Sequence, residues 1–143
     1  MVEVERVRDA FHTAVFASGD ADAARALLAG DASLVNVPAG TGGSSADEVH
    51  RFLADHVVGH LPADLAFRRV TRTTDRWRVV EEATVSFTHD RELPWLLPGV
   101  AATGKPVEVL AVSVVAVRRS LLTAHRTLWD HHGLLTQLGV VPA

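Results

Sequence analysis

Two observations predict an α+β domain. Helical periodicity is confined to roughly the first sixty residues, and strand alternation fills most of the remaining chain. Composition agrees: 143 residues, 48% hydrophobic and 22% charged, suit one folded domain spanning 1–143.

Residues 3–17 read as the first helix, because Val4, Val7, Phe11, Ala14 and Val15 recur at helical spacing between charged positions. Ser18-Gly19-Asp20 ends it. Ala21–Ala29 reads as a short Ala/Leu helix with Gly30 as its stop. Ser33–Val37 alternates as a short strand and ends at Pro38. The run AGTGG at 39–43 is a turn; no GK[ST] motif succeeds it, so it is not a phosphate loop. Ser45, with Glu48 three residues on, forms a capping box and predicts a helix from Ala46 to His60 that stops before Pro62. Val49, Phe52, Leu53, Val57 and Leu61 make its apolar stripe.

The second half of the chain reads as strands. Leu65–Thr73 is one. In Trp77–Asp90, residues Trp77, Val79, Ala83, Val85 and Phe87 share a face that Glu81 and His89 interrupt or end. Residues 91–106 form a long connection marked by proline and glycine; Trp95, Leu96 and Leu97 make it too apolar for a mere solvent loop, and long loops of this kind are often functional lids. Val107–Val117 is apolar on both faces and reads as a central strand. Arg118-Arg119-Ser120 turns the chain into Leu121–Asp130, and His131–Leu138 closes it as a turn or short helix. A curved antiparallel sheet wrapped round helices leaves an open end, where a pocket forms.

The formal net charge is -3 and the arginines are scattered among acids, which argues against nucleic acid as a partner. With no cysteine, the chain has no disulfide, thiolate nucleophile or Cys-based zinc site. It also has no tyrosine to serve as a phenolic acid. The charged start lacks a signal-peptide core and no apolar run spans a bilayer, so the expected location is cytoplasmic and no membrane contact is expected. The Ala, Val, Arg and Leu bias fits a high-GC, bacterial genome. His56 and His60 stand four apart, but the H-E-x-x-H pattern fails; no metal and no cofactor are expected.

Ionisable residues stand at two strand ends. His89 has the parity of Val85 and Phe87 and should face the core, while Asp90 has the opposite parity. Leu122, Ala124, Arg126, Leu128 and Asp130 share a face; if that face points inward, Arg126 and Asp130 go with it. An acid on an apolar face is costly unless paired or protonated, and its raised pKa lets it trade protons near neutral pH. The plainer alternatives are a locally satisfied His89, an Arg126–Asp130 pair, or Asp130 capping the next turn. The expected catalytic residues are His89 and Asp130, with Asp90. The expected substrate contacts are Arg126, Trp95, Trp129, Phe52, His56 and Phe87.

Val85-Ser86-Phe87-Thr88-His89-Asp90, the loop from Pro94-Trp95-Leu96-Leu97-Pro98-Gly99 to Thr103-Gly104-Lys105, the Gly43–Leu53 segment, and Trp129-Asp130 before Gln137-Leu138-Gly139 resemble the SnoaL-like polyketide cyclases of the NTF2-like superfamily. The resemblance covers nearly the whole chain. It implies a cone of helices packed in the curved sheet, a deep open-ended pocket, and often a homodimer through the sheet's outer face. It also implies a strand-borne Asp as general acid/base, here Asp130. Related steroid isomerases and limonene-type epoxide hydrolases work with pocket carboxylates and no metal. This sequence departs from the pattern with Leu128 before Trp129 and His131-His132-Gly133 after Asp130. The expected function is a cofactor-independent cyclase or isomerase that moves protons on a small, mostly apolar, polyketide-like oxygenated metabolite. The alternatives are an epoxide or lactone hydrolase and a non-catalytic small-molecule-binding domain.

Overall fold

Buried Val4, Val7 and Phe11 seat helix α1 (Val2–His12) against the sheet, and α1 runs on into one wide π turn, Thr13–Ala17. The structure, a computed structural model, describes residues 2–140; Met1 and residues 141–143 of the predicted domain lie outside the described residues. Helix α2 (Ala21–Arg25) starts at Asp20, whose carboxylate accepts from the Ala23 N–H. It ends well before the predicted Ala29, because strand β1 (Leu28–Val37) has already begun. Leu28 pairs with Leu122, and the Leu122 N–H donates to the Leu27 carbonyl at 2.8 Å. Sheet pairing and burial of Leu28 and Ala32 override the Ala/Leu helix propensity, and Gly30 lies within the strand instead of stopping a helix.

Strand β2 (Thr41–Gly43) turns back on β1. Gly42 is required there: its φ is 149°, and a Cβ would stand 1.8 Å from the Leu34 carbonyl oxygen. Helix α3 (Ala46–Phe52) begins as predicted, with Ser45 Oγ accepting from the Glu48 N–H at 3.1 Å. It continues through a π turn, Leu53–Val57, and a 3-10 turn, Val58–His60. Strands β3 (Ala66–Thr74), β4 (Arg78–Thr88), β5 (Pro106–Arg118) and β6 (Leu121–Trp129) come next, and α4 (His131–Leu138) closes the chain.

The strands form one curved sheet in the order β2-β1-β6-β5-β4-β3. Every pairing is antiparallel except β1 with β6, which run parallel, so the sheet is mixed rather than wholly antiparallel. The β5–β6 hairpin turns on Arg119 and Ser120 at φ 52° and 64°, the left-handed pair such a tight turn needs even without Asn-Gly. Helix α1 packs on β4, β5 and β6, and α3 packs on β1 and β2, which puts the core between helices and sheet. Among the described residues no helix is long and apolar enough to cross a membrane.

One irregularity decides which side chains face that core. Ala116 pairs with Ala124 but Val117 pairs with Leu122, so Thr123 is an extra residue in β6. A one-residue slip reverses a strand's faces. Beyond Thr123 the inward residues are therefore His125, Thr127 and Trp129, while Arg126, Leu128 and Asp130 are exposed. The expected inward face of β6 is thus corrected.

Candidate functional site

The helices and the concave face of the sheet enclose a cavity of about 630 Å³, its mouth included. Its wall is mostly apolar: Phe11, Val15 and Phe16 from α1 and its π turn, Phe52, Leu53 and Val57 from α3 and its extension, Phe67 from β3, and Trp95 from the long connection. Polar atoms enter at a few places. Arg8 and His12 come from α1, Asn36 from β1, Glu81 from β4, Ser113 from β5, and His125 and Thr127 from β6.

Glu81, 5% exposed, sits on the inward face of β4 between Val79 and Ala83. A lone buried carboxylate would be severely penalised, but three arginines hold this one. Arg8 Nη2 donates to Oε2 at 2.7 Å; Arg69 Nε and Arg72 Nε donate to Oε1 at 3.0 and 2.8 Å. Asp9 accepts from Arg8 at 3.0 Å and from Arg72 at 2.6 Å, and Glu5 accepts from Arg72 at 3.2 Å. Three guanidinium charges thus face three carboxylates, and the cluster is electrically balanced.

Beside it stand two imidazoles. Burial, with the Arg8 charge adding to it, pushes His12 down to about 4. Burial, then the charges of Arg8 and His12, pushes His125 down to about 3. Both rings are neutral at physiological pH. Glu81 and Asp9 pull His12 the other way and would support its protonated form, whereas no carboxylate does so for His125. The His12 ring packs edge-on against Phe67 at 4.6 Å, and His125 meets Phe11 at 5.5 Å. Arg8 Nε, His125 Nδ1 and Trp95 Nε1 are buried nitrogens of wall residues without a protein partner.

A directional chain of hydrogen bonds fixes the opposite wall. Trp129 Nε1–H donates to Asn36 Oδ1 at 3.0 Å, Asn36 Nδ2 donates to Thr41 Oγ1 at 3.3 Å, and the Thr41 hydroxyl donates to the Trp95 carbonyl at 2.5 Å. Each group is used once and with consistent polarity. The chain ties the apolar connection between β4 and β5 to β1 and β2, and Trp95 then meets Trp129 edge-to-face at 5.8 Å.

Of the residues expected from sequence, Trp95, Trp129 and Phe52 line this cavity. His89, Asp90, Asp130, Arg126, His56 and Phe87 do not. His89 faces inward as its parity implied and is 0% exposed, but it fastens the return of the long loop. Its Nδ1 accepts from the Thr103 N–H at 3.3 Å, and its carbonyl accepts from Thr103 and Gly104 at 3.1 and 2.8 Å. Asp90 is exposed and pairs with Arg91. Asp130 caps α4, accepting from the Gly133 N–H at 3.0 Å. Arg126 lies on the outer face of β6, His56 is exposed beside Phe52, and Phe87 is buried in the core away from the cavity. His89 and Asp130 are therefore not brought together. Among the described residues no three His, Asp or Glu side chains gather at metal-binding distance.

Arg8, His12, Glu81, His125 and Asn36 were missed as site residues. Glu81 carried a signal, a charge at an inward position of an apolar strand face. His125 carried none, since the bulge at Thr123 inverts its parity.

The family model of the SnoaL-like domain matches residues 7–125. No curated protein sequence matches the chain. Solved structures share its fold at low identity. A candidate SnoaL-like polyketide cyclase from Shewanella putrefaciens superposes with TM-score 0.77 at 18% identity, over 97% of this chain and 87% of that one. An NTF2-like protein of unknown function from Burkholderia pseudomallei gives 0.73 at 18% identity, over 96% and 98%. An LEH-like epoxide hydrolase from M. tuberculosis gives 0.69 at 18% identity, over 96% and 90%.

Proposed function

The chain belongs to the SnoaL-like domain family, and on that premise we propose that its cavity binds a small, mostly apolar oxygenated molecule and moves a proton next to a carbonyl, as a cofactor-independent cyclase or isomerase does. The observation that carries this reading is a pair of neutral imidazoles, His12 and His125, in an apolar chamber beside a charge-balanced arginine–carboxylate cluster.

His12 is the group to take the proton, because Glu81 and Asp9 support its cation. Its low resting pKa keeps it unprotonated and ready at neutral pH. The imidazolium forms together with the enolate, which supplies its counter-charge. Moving the proton from carbon to His12 therefore leaves the total charge of the chamber unchanged. Arg8 Nε–H, with His125 in the tautomer protonated at Nδ1, donates to the oxygen where negative charge develops. Both groups are held in place before reaction, so little reorganisation opposes them.

The test is exchange of the α-protons of an aryl methyl ketone in D2O, followed by proton NMR. The parent should accelerate exchange on the order of 10²-fold or more over His12→Gln. Equal rates contradict the assignment. A second reading, binding without turnover, is favoured by one observation: Glu81, the carboxylate on the wall, is tied by three arginines and is not free to act as a base. That reading gives ketone binding with no exchange in any variant.

We infer also that the outer face of the sheet pairs with a second copy of the chain. Val80, Leu110 and Leu128 are exposed there, and cross-strand register sets Val112 and Val114 among them. Glu82 and Arg126 stand beside Val112 and Val114 in the same register, which gives an apolar strip with charged neighbours, the make-up of an interface with a polar rim.

A further inference from the structure

Nitrogen donors that the fold leaves empty describe the ligand. Trp129 and Trp95 stand edge to face on the cavity wall. The fold provides an acceptor for one and not for the other. The Trp129 indole N–H donates to buried Asn36 at 3.0 Å, whereas that of Trp95, 2% exposed, meets no acceptor. Arg8 shows the same contrast within one side chain. Its Nη1 and Nη2 donate to Asp9 and Glu81, while Nε has no partner in a residue only 8% exposed.

Indole and guanidinium N–H groups can only donate. Buried donors in proteins are almost always paired, so each empty one calls for an acceptor brought by something else. The two come from different walls of the chamber, Arg8 from α1 and Trp95 from the connection between β4 and β5. Arg8 and Phe16 are separated by roughly 10 Å along the helix and its π turn, and Phe16 is the ring that meets Trp95, at 6.0 Å. Phe11 and Val15, both on the wall, lie between them along the helix. Charge narrows the choice further. The arginines around Glu81 are already matched by Glu5, Asp9 and Glu81, so an added carboxylate would bring unmatched charge into an apolar space.

We propose that the cavity recognises a neutral compound with an apolar body and two acceptor oxygens at opposite ends, one received by Arg8 Nε–H and the other by Trp95 Nε1–H. The proposal rests on the ligand-binding reading above and adds the chemical class to it. Ketone, ester and lactone oxygens qualify. A hydrocarbon leaves both donors empty, and an ammonium compound meets donors with a donor.

A near-isosteric series tests it: 1,4-diacetylbenzene with two acceptors, 4-ethylacetophenone with one, 1,4-diethylbenzene with none, and 4-acetylbenzoate as the charged control. Dissociation constants come from NMR titration of the intact protein. Each added ketone oxygen should tighten binding about tenfold, the scale of one well-made hydrogen bond, and the benzoate should bind more weakly than the diketone. In Trp95→Phe the diketone and the monoketone should bind alike. In the parent, the Trp95 indole N–H resonance should move downfield with the diketone and stay in place with the hydrocarbon. Affinity that tracks apolarity alone, or an unmoved Trp95 resonance in the diketone complex, overturns the proposal and leaves the ligand-binding reading standing. Failure of all four compounds to bind overturns both.

Discussion

His12 and His125 connect the site to stability through pH. An unfolded histidine titrates near 6.5, whereas the folded protein holds His12 at about 4 and His125 at about 3. Between those limits the unfolded chain binds more protons, so these two rings lower stability as pH drops below 6.5; their part is complete below about 3, where carboxylates held below their ordinary range, such as Asp9, continue the loss. The fall is on the order of a few kcal/mol. His125→Phe keeps a ring in place and removes one of the two titrations. Its melting temperature should decline less steeply than the parent's over the same acid range, as thermal unfolding in a pH series would register. A parallel decline in both proteins would mean that His125 is not buried in its neutral form.

At the scale of elements, two segments that carried the expected site have structural tasks. Asp130 opens α4, so Asp130→Ala should destabilise the protein by about 1 kcal/mol in urea unfolding, while Asp130→Asn, another good cap, should change little. Both variants should retain ketone exchange, because Asp130 lies outside the cavity. The connection between β4 and β5 is pinned by Thr41, whose hydroxyl reaches the Trp95 carbonyl. Thr41→Val should speed amide hydrogen exchange across residues 93–100 by about tenfold, the equivalent of one hydrogen bond, with β3 and β4 unaffected. Most elements were legible because their signals are local. The Ser45 cap, the long alternation of β4, and the apolar character of Trp95, Leu96 and Leu97 each survive in the structure. The end of α2 was not legible, because Leu28 joins a strand whose partner, Leu122, is distant in sequence. The inward face of β6 failed for a related reason. A bulge is a property of two strands in register, and Thr123 does not announce it alone.

The whole molecule is a SnoaL-like domain with an NTF2-like fold; a cavity occupies part of its interior, and the outer face of its sheet exposes Val80, Leu110 and Leu128 among charged neighbours. Leu110, 41% exposed near the middle of that surface, should matter to assembly and not to folding. Sedimentation velocity should find the parent as a dimer and Leu110→Arg as a monomer, with the same far-UV spectrum. A monomeric parent would remove the pairing. The cavity was legible as an expectation of an open-ended pocket, but its chemistry was not. Arg8, Glu81, His12 and His125 come from three elements and converge only through tertiary packing. Local spacing showed one of them as an oddity and none of them as a set.

Where the ligand sits is the question on which the rest depends. The most direct measurement is a histidine-selective nitrogen-15 NMR titration of the intact protein with 1,4-diacetylbenzene. The ring nitrogens of His12 and His125 should shift in a saturable way while those of His89, His131 and His132 stay in place. Saturable shifts at His89, His131 and His132 with His12 and His125 unmoved would place the ligand at the strand ends and contradict the account.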